Sequence, residues 1–243
     1  MSQRIFLSVV IPAYNEEKRL PKTLQKISSF LQGKDYAYEI LVVNDGSKDG
    51  TKQVAEDFQK KDLNIRVIDN PQNMGKGYAV RNGMLQARGQ YFLFTDSDLS
   101  TPIEELDKFW SKFQEGYQVV IGSRALKNSV IKVSQPFYRV LMGKTFNVIV
   151  RFLFWTRIKD TQCGFKCFTQ EAAQAVFPKQ QIWGFGFDVE VLFIARKLGY
   201  KICEYPVEWV NSPDTRVSAL KDSLKMFWEL LKIRSSLRKI KKH

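Results

Sequence analysis

Asp96 and Asp98 stand two residues apart, directly after an apolar stretch and just before Leu-Ser-Thr-Pro. In an extended segment residues two apart point the same way, so both carboxylates can face one ligand. Two hard oxygen donors suit Mg²⁺ or Mn²⁺ and leave coordination positions open for diphosphate oxygens and water. A metal held there would act as a Lewis acid on a departing diphosphate. The competing reading is structural: Asp98 or Ser100 caps a helix that starts near Pro102.

Further groups of the same chemical kind precede and follow this pair. Asn73-Met74-Gly75-Lys76-Gly77 places a glycine-flanked lysine at the start of a helical stretch. Unpaired backbone N–H groups at a helix N-terminus suit an anion, although the segment is not the GxxxxGK[ST] loop. The plain alternative is a glycine turn with an exposed lysine. Gly122-Ser123-Arg124 sets a guanidinium after another apolar run, where it could bind diphosphate. Cys163, Cys167 and Cys203, with one histidine at the end of the chain, are too few for a structural zinc site and read as free thiols of a reducing compartment.

The elements that must position these residues alternate in type. Apolar, β-branched runs at 5–11, 39–44, 64–69, 91–96 and 117–122 read as strands. Between them, helical spacing covers 16–32, 49–61, 76–88 and about 103–115. This order predicts an α/β fold with a mostly parallel central sheet and helices on both faces. Each polar cluster then follows a strand, and in open parallel sheets ligands sit beyond the carboxyl ends of strands. The first run, ending in Pro12-Ala13-Tyr14-Asn15-Glu16, reads as a strand and not as a signal peptide.

After residue 123 the pattern changes. Residues 129–158 mix large apolar side chains with lysines and arginines, so a helix there is either buried or laid on a membrane surface. A helix across about 187–198 and a strand-like stretch at 200–210 follow, then a tail from Ser218 with apolar residues among many lysines. The formal charge of +13 is uneven: residues 1–123 hold 16 Lys/Arg and 16 Asp/Glu, residues 124–243 hold 22 and 9. A basic half points to an anionic partner, or to no more than a soluble basic surface. No run approaches the roughly 20 apolar residues of a membrane span.

Eight segments, in order, carry a resemblance: VVIPAYNEEKRL, VVNDGSKDGT, NMGKGYAVRNG, DSDLSTP, IGSR, DTQCGFKCF, WGFGFDVEVL and EYPVEW, with Arg216-Val217-Ser218 after them. Together they are similar to the inverting GT-A glycosyltransferases of family 2. Within that class they resemble the branch that transfers a sugar to dolichyl or polyprenyl phosphate.

The resemblance implies the GT-A nucleotide-diphospho-sugar transferase fold over residues 1–218, with a nucleotide-sugar half (1–123) and an acceptor half (124–218), and a basic amphipathic tail over 219–243. It implies that Pro12, Tyr14 and Glu16 border the nucleoside and that Asp45 reads the base. Asp96 and Asp98, with Ser97 between them, would hold ribose, diphosphate and Mg²⁺ or Mn²⁺. Lys76 would face the anionic donor, and Arg124 and Arg216 would meet phosphate groups. Ser100 stands where mannosyl relatives carry glutamine. The DTQCGFK segment looks like the glucosyl members, which favours UDP-glucose over GDP-mannose. Asp160 would orient the acceptor or act as base, and Asp188 would do the same or pack on its helix face.

A lipid phosphate acceptor is already anionic near neutrality, its second pKa being about 6, so arginines matter more than a base. The basic half, with stretches near 137–158 and 218–240, could rest on an anionic membrane at its cytoplasmic side. The rival readings are a GT-A transferase acting on a polysaccharide or another lipid, a catalytically silent sugar-nucleotide-binding subunit, and a basic nucleic-acid-binding protein. No recognisable nucleic-acid module supports the last, so a nucleic-acid partner is not expected.

Overall fold

Side chains on neighbouring strand positions go to opposite faces, and here both faces are buried. In β1 (Leu7–Ala13), Leu7, Val9 and Ile11 enter one core and Val10 the other. The computed structural model describes residues 4–133, 136–211 and 219–240.

From β1 the chain passes through α1 (Leu20–Gln32) to β2 (Tyr38–Asn44), then through α2 (Thr51–Lys61) to β3 (Ile65–Asp69). It continues through α3 (Lys76–Gln86), β4 (Tyr91–Thr95), a 3-10 segment at Ile103–Phe109, α4 (Trp110–Gln114) and β5 (Val119–Ser123). The second half comprises β6 (Val130–Val133), α5 (Phe137–Phe154), β7 (Phe165–Thr169), α6 (Gln170–Val176), α7 (Phe187–Lys197), β8 (Ile202–Pro206), β9 (Glu208–Val210) and α8 (Ala219–Ser236).

Seven strands form the central sheet in the order β3-β2-β1-β4-β7-β5-β8. All run parallel except β7, which is antiparallel to both its neighbours. The short strands β6 and β9 pair in a separate ribbon. One core lies between the sheet and the face carrying α1, α2 and the 103–114 segment; the other lies under α3, α5, α6, α7 and α8. In α1, Leu20, Leu24, Ile27 and Leu31 recur at three and four residues and are fully buried. Each such burial stabilises the fold by about 1.5–3 kcal/mol, and Leu24→Ala would cost about 2–5 kcal/mol.

Several elements differ from the sequence reading, among them β6 and α6, which were not expected; two others bear on the site. The helix expected over 103–115 begins as a 3-10 segment. Its buried residues Ile103, Leu106 and Phe109 are spaced by three, which lines up one edge of a helix with three residues per turn. Strand β7 was not expected at all. It inserts between β4 and β5 inside the DTQCGFKCF segment, where Lys166 interrupts the apolar pattern.

The tail is not detached from the domain. Leu230 and Ile233 of α8 are fully buried in the second core, whereas Phe227, Trp228 and Leu231 stay partly exposed. Among the described residues no helix is long and apolar enough to cross a membrane. Cys163, Cys167 and Cys203 are free.

Candidate active site

The carboxyl ends of β1, β2 and β4 open onto one cavity of about 640 Å³. Its lining brings together Pro12, Tyr14, Glu16, Asp45, Lys76, Asp96, Ser97, Asp98 and Arg124, which come from five separate stretches of sequence. Asp160 lies just beneath this surface, and Arg216 lies outside the described residues.

The loops that hold these side chains are tied to one another. After β1, Asn15 takes a positive φ of 55° and its N–H donates to Ser47 Oγ at 2.9 Å. Glu16 N–H donates to Thr51 Oγ1 at 2.6 Å. Glu17 accepts from Gly50 N–H at 2.7 Å, so the first two loops form one unit. The Glu16 carboxylate is gripped by Arg19, through Nε at 2.6 Å and the guanidinium nitrogen Nη2 at 2.5 Å. Sequence reasoning missed Arg19, though its place three residues after Glu16 in a helical stretch is the spacing of an ion pair.

Asp45 is buried and organises the next loop. Its Oδ1 accepts from Asn70 Nδ2 at 2.8 Å and Met74 N–H at 3.1 Å, and its Oδ2 from Gly75 N–H at 2.8 Å. Gly75 needs its positive φ of 103°, and a Cβ there would collide with the Trp183 carbonyl. This loop departs from the open anion cradle read from the sequence. Gly75 N–H is spent on Asp45, and Gly77 N–H donates to Trp183 O at 2.8 Å.

Lys76 points instead to the acidic loop, with Nζ 2.6 Å from Asp96 Oδ1. Burial works against its charge, but Asp96 and Asp188, with Asp98 farther down, outweigh it and hold the ammonium above its usual pKa. Asp96 in turn has Gly164 against it. A Cβ on Gly164 would run into the Asp96 carboxylate, and Asp96 N–H donates to Gly164 O at 3.2 Å. Thr23 Oγ1 donates to Ser97 O at 2.6 Å and anchors the loop to α1.

Asp98 uses Oδ1 to accept from Ser100 N–H at 2.9 Å, while Oδ2 stands 4.0 Å from an Arg19 nitrogen. Neither Asp98 nor Ser100 caps the following segment, whose N-cap, Pro102, has no side-chain cap bond. Burial, then the neighbouring Asp96 charge, pushes the Asp98 carboxyl up. Two carboxylates crowded in a partly buried cavity are a donor set that a divalent cation relieves, so the residues fit Mg²⁺ or Mn²⁺. Among the described residues no group of three or more His, Cys, Asp or Glu is placed to hold a metal. The rest of an ion's coordination would therefore fall to diphosphate and water.

On the other side of the cavity Arg124 is held rigidly. Its Nε donates to Asp160 Oδ2 at 2.7 Å, its Nη2 to Oδ1 at 2.9 Å and its backbone N–H to Oδ2 at 3.0 Å. Trp209 covers the guanidinium face, 5.5 Å from the ring centroid. Asp160 also accepts from Gln162 N–H at 3.1 Å. Burial alone would raise this carboxyl, yet Arg124 holds it down at about 2. A carboxylate held so low, with both oxygens already accepting hydrogen bonds, favours orienting Arg124 over acting as a base. Asp188 is paired with the fully buried Lys166 of β7. Burial pushes its carboxyl up against the pull of Lys166 and Lys76.

The remaining wall is of mixed character. Arg139, Met142 and Phe146 of α5 line it together with Lys225 and Met226 of α8.

The model of Glycosyl transferase family 2 matches residues 8–177. Proteins named dolichyl-phosphate beta-glucosyltransferase are similar over most of the chain. The one from Dictyostelium discoideum is 37% identical over 242 residues, 95% of this chain and 74% of its own. That from Homo sapiens is 37% identical over 241 residues, 94% and 74%. That from Saccharomyces cerevisiae is 38% identical over 251 residues, 96% and 75%. Among solved structures, glucosyl-3-phosphoglycerate synthase from Mycobacterium tuberculosis, in complex with Mn²⁺, UDP and phosphoglyceric acid, superposes with a TM-score of 0.73 at 20% identity, covering 95% of this chain and 78% of that one. That likeness shows the shared GT-A fold. With the family model spanning most of the sheet and the acidic loop at its centre, the chain belongs to glycosyl transferase family 2 and is a glycosyltransferase.

Proposed function

We propose that the chain transfers glucose from UDP-glucose, with inversion, onto dolichyl or another polyprenyl phosphate. The observation that carries this reading is the composition of this cavity. Asp96 and Asp98 line it together with Arg124, Arg139 and Lys225, and with Met142, Phe146 and Met226. Carboxylates suit a metal–diphosphate, cations suit an acceptor phosphate, and the apolar side chains suit the first carbons of a lipid. The names of the relatives supply the sugar and the lipid.

In this reading Pro12, Tyr14, Glu16 and Asp45 border the nucleoside, while Asp96 and Asp98 hold Mg²⁺ or Mn²⁺ against the diphosphate. The metal, when bound, offsets charge on the departing UDP. Arg124, pre-oriented by Asp160 and Trp209, holds the acceptor phosphate against the anomeric carbon. An acceptor phosphate oxygen attacks that carbon as the bond to the diphosphate oxygen breaks, and the electron pair leaves with UDP. The α-linked donor gives a β-linked product. The nucleophile is already an anion, so positioning and electrostatics carry the step.

The protein rests on a membrane in this reading. Phe137, Phe152 and Trp155 of the α5 region are 80%, 75% and 79% exposed, the two helical ones on the side of α5 away from the residues that line the cavity. Large exposed aromatics beside basic residues suit a lipid interface. The test is a donor panel of UDP-glucose, GDP-mannose and UDP-galactose with dolichyl phosphate, with and without EDTA. Metal-dependent transfer from UDP-glucose supports the reading; transfer from GDP-mannose alone, or to no lipid phosphate, overturns it.

A further inference from the structure

Residues 180–186 form a strap laid across the first turn of α3, and two buried carboxylates clamp it. Glu190 of α7 accepts from Gln181 N–H at 3.0 Å and Ile182 N–H at 2.7 Å. Glu229 of α8 accepts from Gly186 N–H at 2.8 Å and is itself buried. A Cβ on Gly184 or Gly186 would collide with the Glu229 carboxylate, so the two glycines let the strap press directly on it. Gly186 is also the N-cap of α7, where the helix dipole favours an anion.

Between the clamps the strap holds α3. Trp183 O accepts from Gly77 N–H at 2.8 Å, and Gln180 Nε2 donates to Gly77 O at 2.8 Å. The Trp183 ring packs edge-on against Tyr78, 5.1 Å between centroids. The residue before Gly77 is Lys76, whose ammonium sits on Asp96. An unbroken path of short contacts thus runs from α8 to the acidic loop.

We infer that Glu229 is a positioning residue for the transferase reaction: from the C-terminal helix it fixes the 180–186 strap, and through it Lys76 and Asp96. The helix at the end of the chain thereby belongs to the catalytic machinery. This inference rests on the assignment of the acidic loop as the donor site, but its first test does not.

Hydrogen exchange of the full-length protein, compared with Glu229→Ala and Glu229→Gln, reads the coupling directly. Glu229→Ala should speed exchange in peptides covering 75–79 and 181–187 and leave β1 protected. Glu229→Gln, which keeps an acceptor oxygen, should stay near wild type. Unchanged exchange at 75–79 in Glu229→Ala, or equally faster exchange throughout the fold, overturns the inference.

The second arm is a double-mutant cycle in glucose transfer from UDP-glucose. Glu229→Ala should lower kcat/KM by about tenfold, since small misplacements near the reacting centre are costly. On a Lys76→Ala background it should cost less than about twofold, the signature of coupled residues. Equal losses on both backgrounds, or a Lys76→Ala variant with wild-type activity, overturn the inference. Failure of the donor assignment itself would appear differently, as a wild-type protein that transfers no glucose while the exchange result stands.

Discussion

Lys76 Nζ lies 2.6 Å from Asp96 Oδ1. The cation of the glycine-flanked loop is committed to the protein's own acidic loop. It therefore sets the direction of one metal-facing carboxylate and lowers the negative charge of the pair. Lys76→Met should lower kcat/KM for UDP-glucose by about tenfold through lost orientation. The Mn²⁺ concentration for half-maximal activity should not rise, because a competing cation has been removed. A metal titration of both proteins checks this, and a steep rise in the Mn²⁺ requirement would contradict it.

Gly164 lies against the Asp96 carboxylate with no room for a methyl group. Gly164→Ala should displace Asp96 and reduce transfer by about 100-fold, the loss expected from a misplacement of about 1 Å. The core is untouched, so thermal unfolding should shift by only a few degrees, about 1 kcal/mol or less. Steady-state kinetics beside a melting curve separates the two effects.

The Arg124–Asp160 pair makes a pH-dependent contribution to stability. Asp160 titrates at about 2 in the folded protein, below the roughly 3.9 of an unfolded aspartate. A carboxylate with a depressed folded pKa stabilises above the unfolded value, and that stabilisation is lost as pH falls through the folded one. Asp160→Asn should cost about 3 kcal/mol at pH 6, as breaking a buried pair does. The gap to wild type should narrow as pH falls from about 4 toward 2. Denaturant midpoints measured between pH 6 and 3 give the slope. A gap independent of pH would show that the charge on Asp160 is not what stabilises Arg124.

Phe152 and Trp155 stack 6.5 Å apart at the C-terminal end of α5, and Phe137 is exposed at its other end. Replacing all three with serine should reduce partitioning onto vesicles containing anionic lipid by about tenfold or more, given about 1.5–3 kcal/mol for each fully buried large apolar side chain. Transfer to a short-chain, detergent-dispersed polyprenyl phosphate should persist. Sedimentation with vesicles at two salt concentrations reads the effect, and unchanged partitioning would remove this face from the account.

The parallel sheet and its ligand edge were legible because each strand is a run of apolar residues that ends in a polar cluster, a pattern contained within a dozen residues. Asp96, Asp98 and Arg124 were legible for the same reason: each follows a strand directly. What could not be read depended on partners distant in sequence. Lys166 looks like a surface lysine until Asp188, 22 residues later, neutralises it in the core. That one residue hid β7. Asp160 reads as a free acid until Arg124, 36 residues earlier, saturates it. The tail reads as a basic amphipathic appendage, and only packing reveals Leu230 and Ile233 in the core and Glu229 on the Gly186 amide.

The central claim is that Asp96 and Asp98 hold a divalent metal against a nucleoside diphosphate. Calorimetric titration of UDP into the protein with Mn²⁺, with EDTA, and into Asp98→Asn with Mn²⁺ tests it most directly. Losing a charged ligand should weaken UDP binding by at least about tenfold, or 1.4 kcal/mol, and EDTA should weaken it as much. If Asp98→Asn in Mn²⁺ and wild type in EDTA both bind UDP as tightly as wild type in Mn²⁺, the acidic loop is not the metal–diphosphate site.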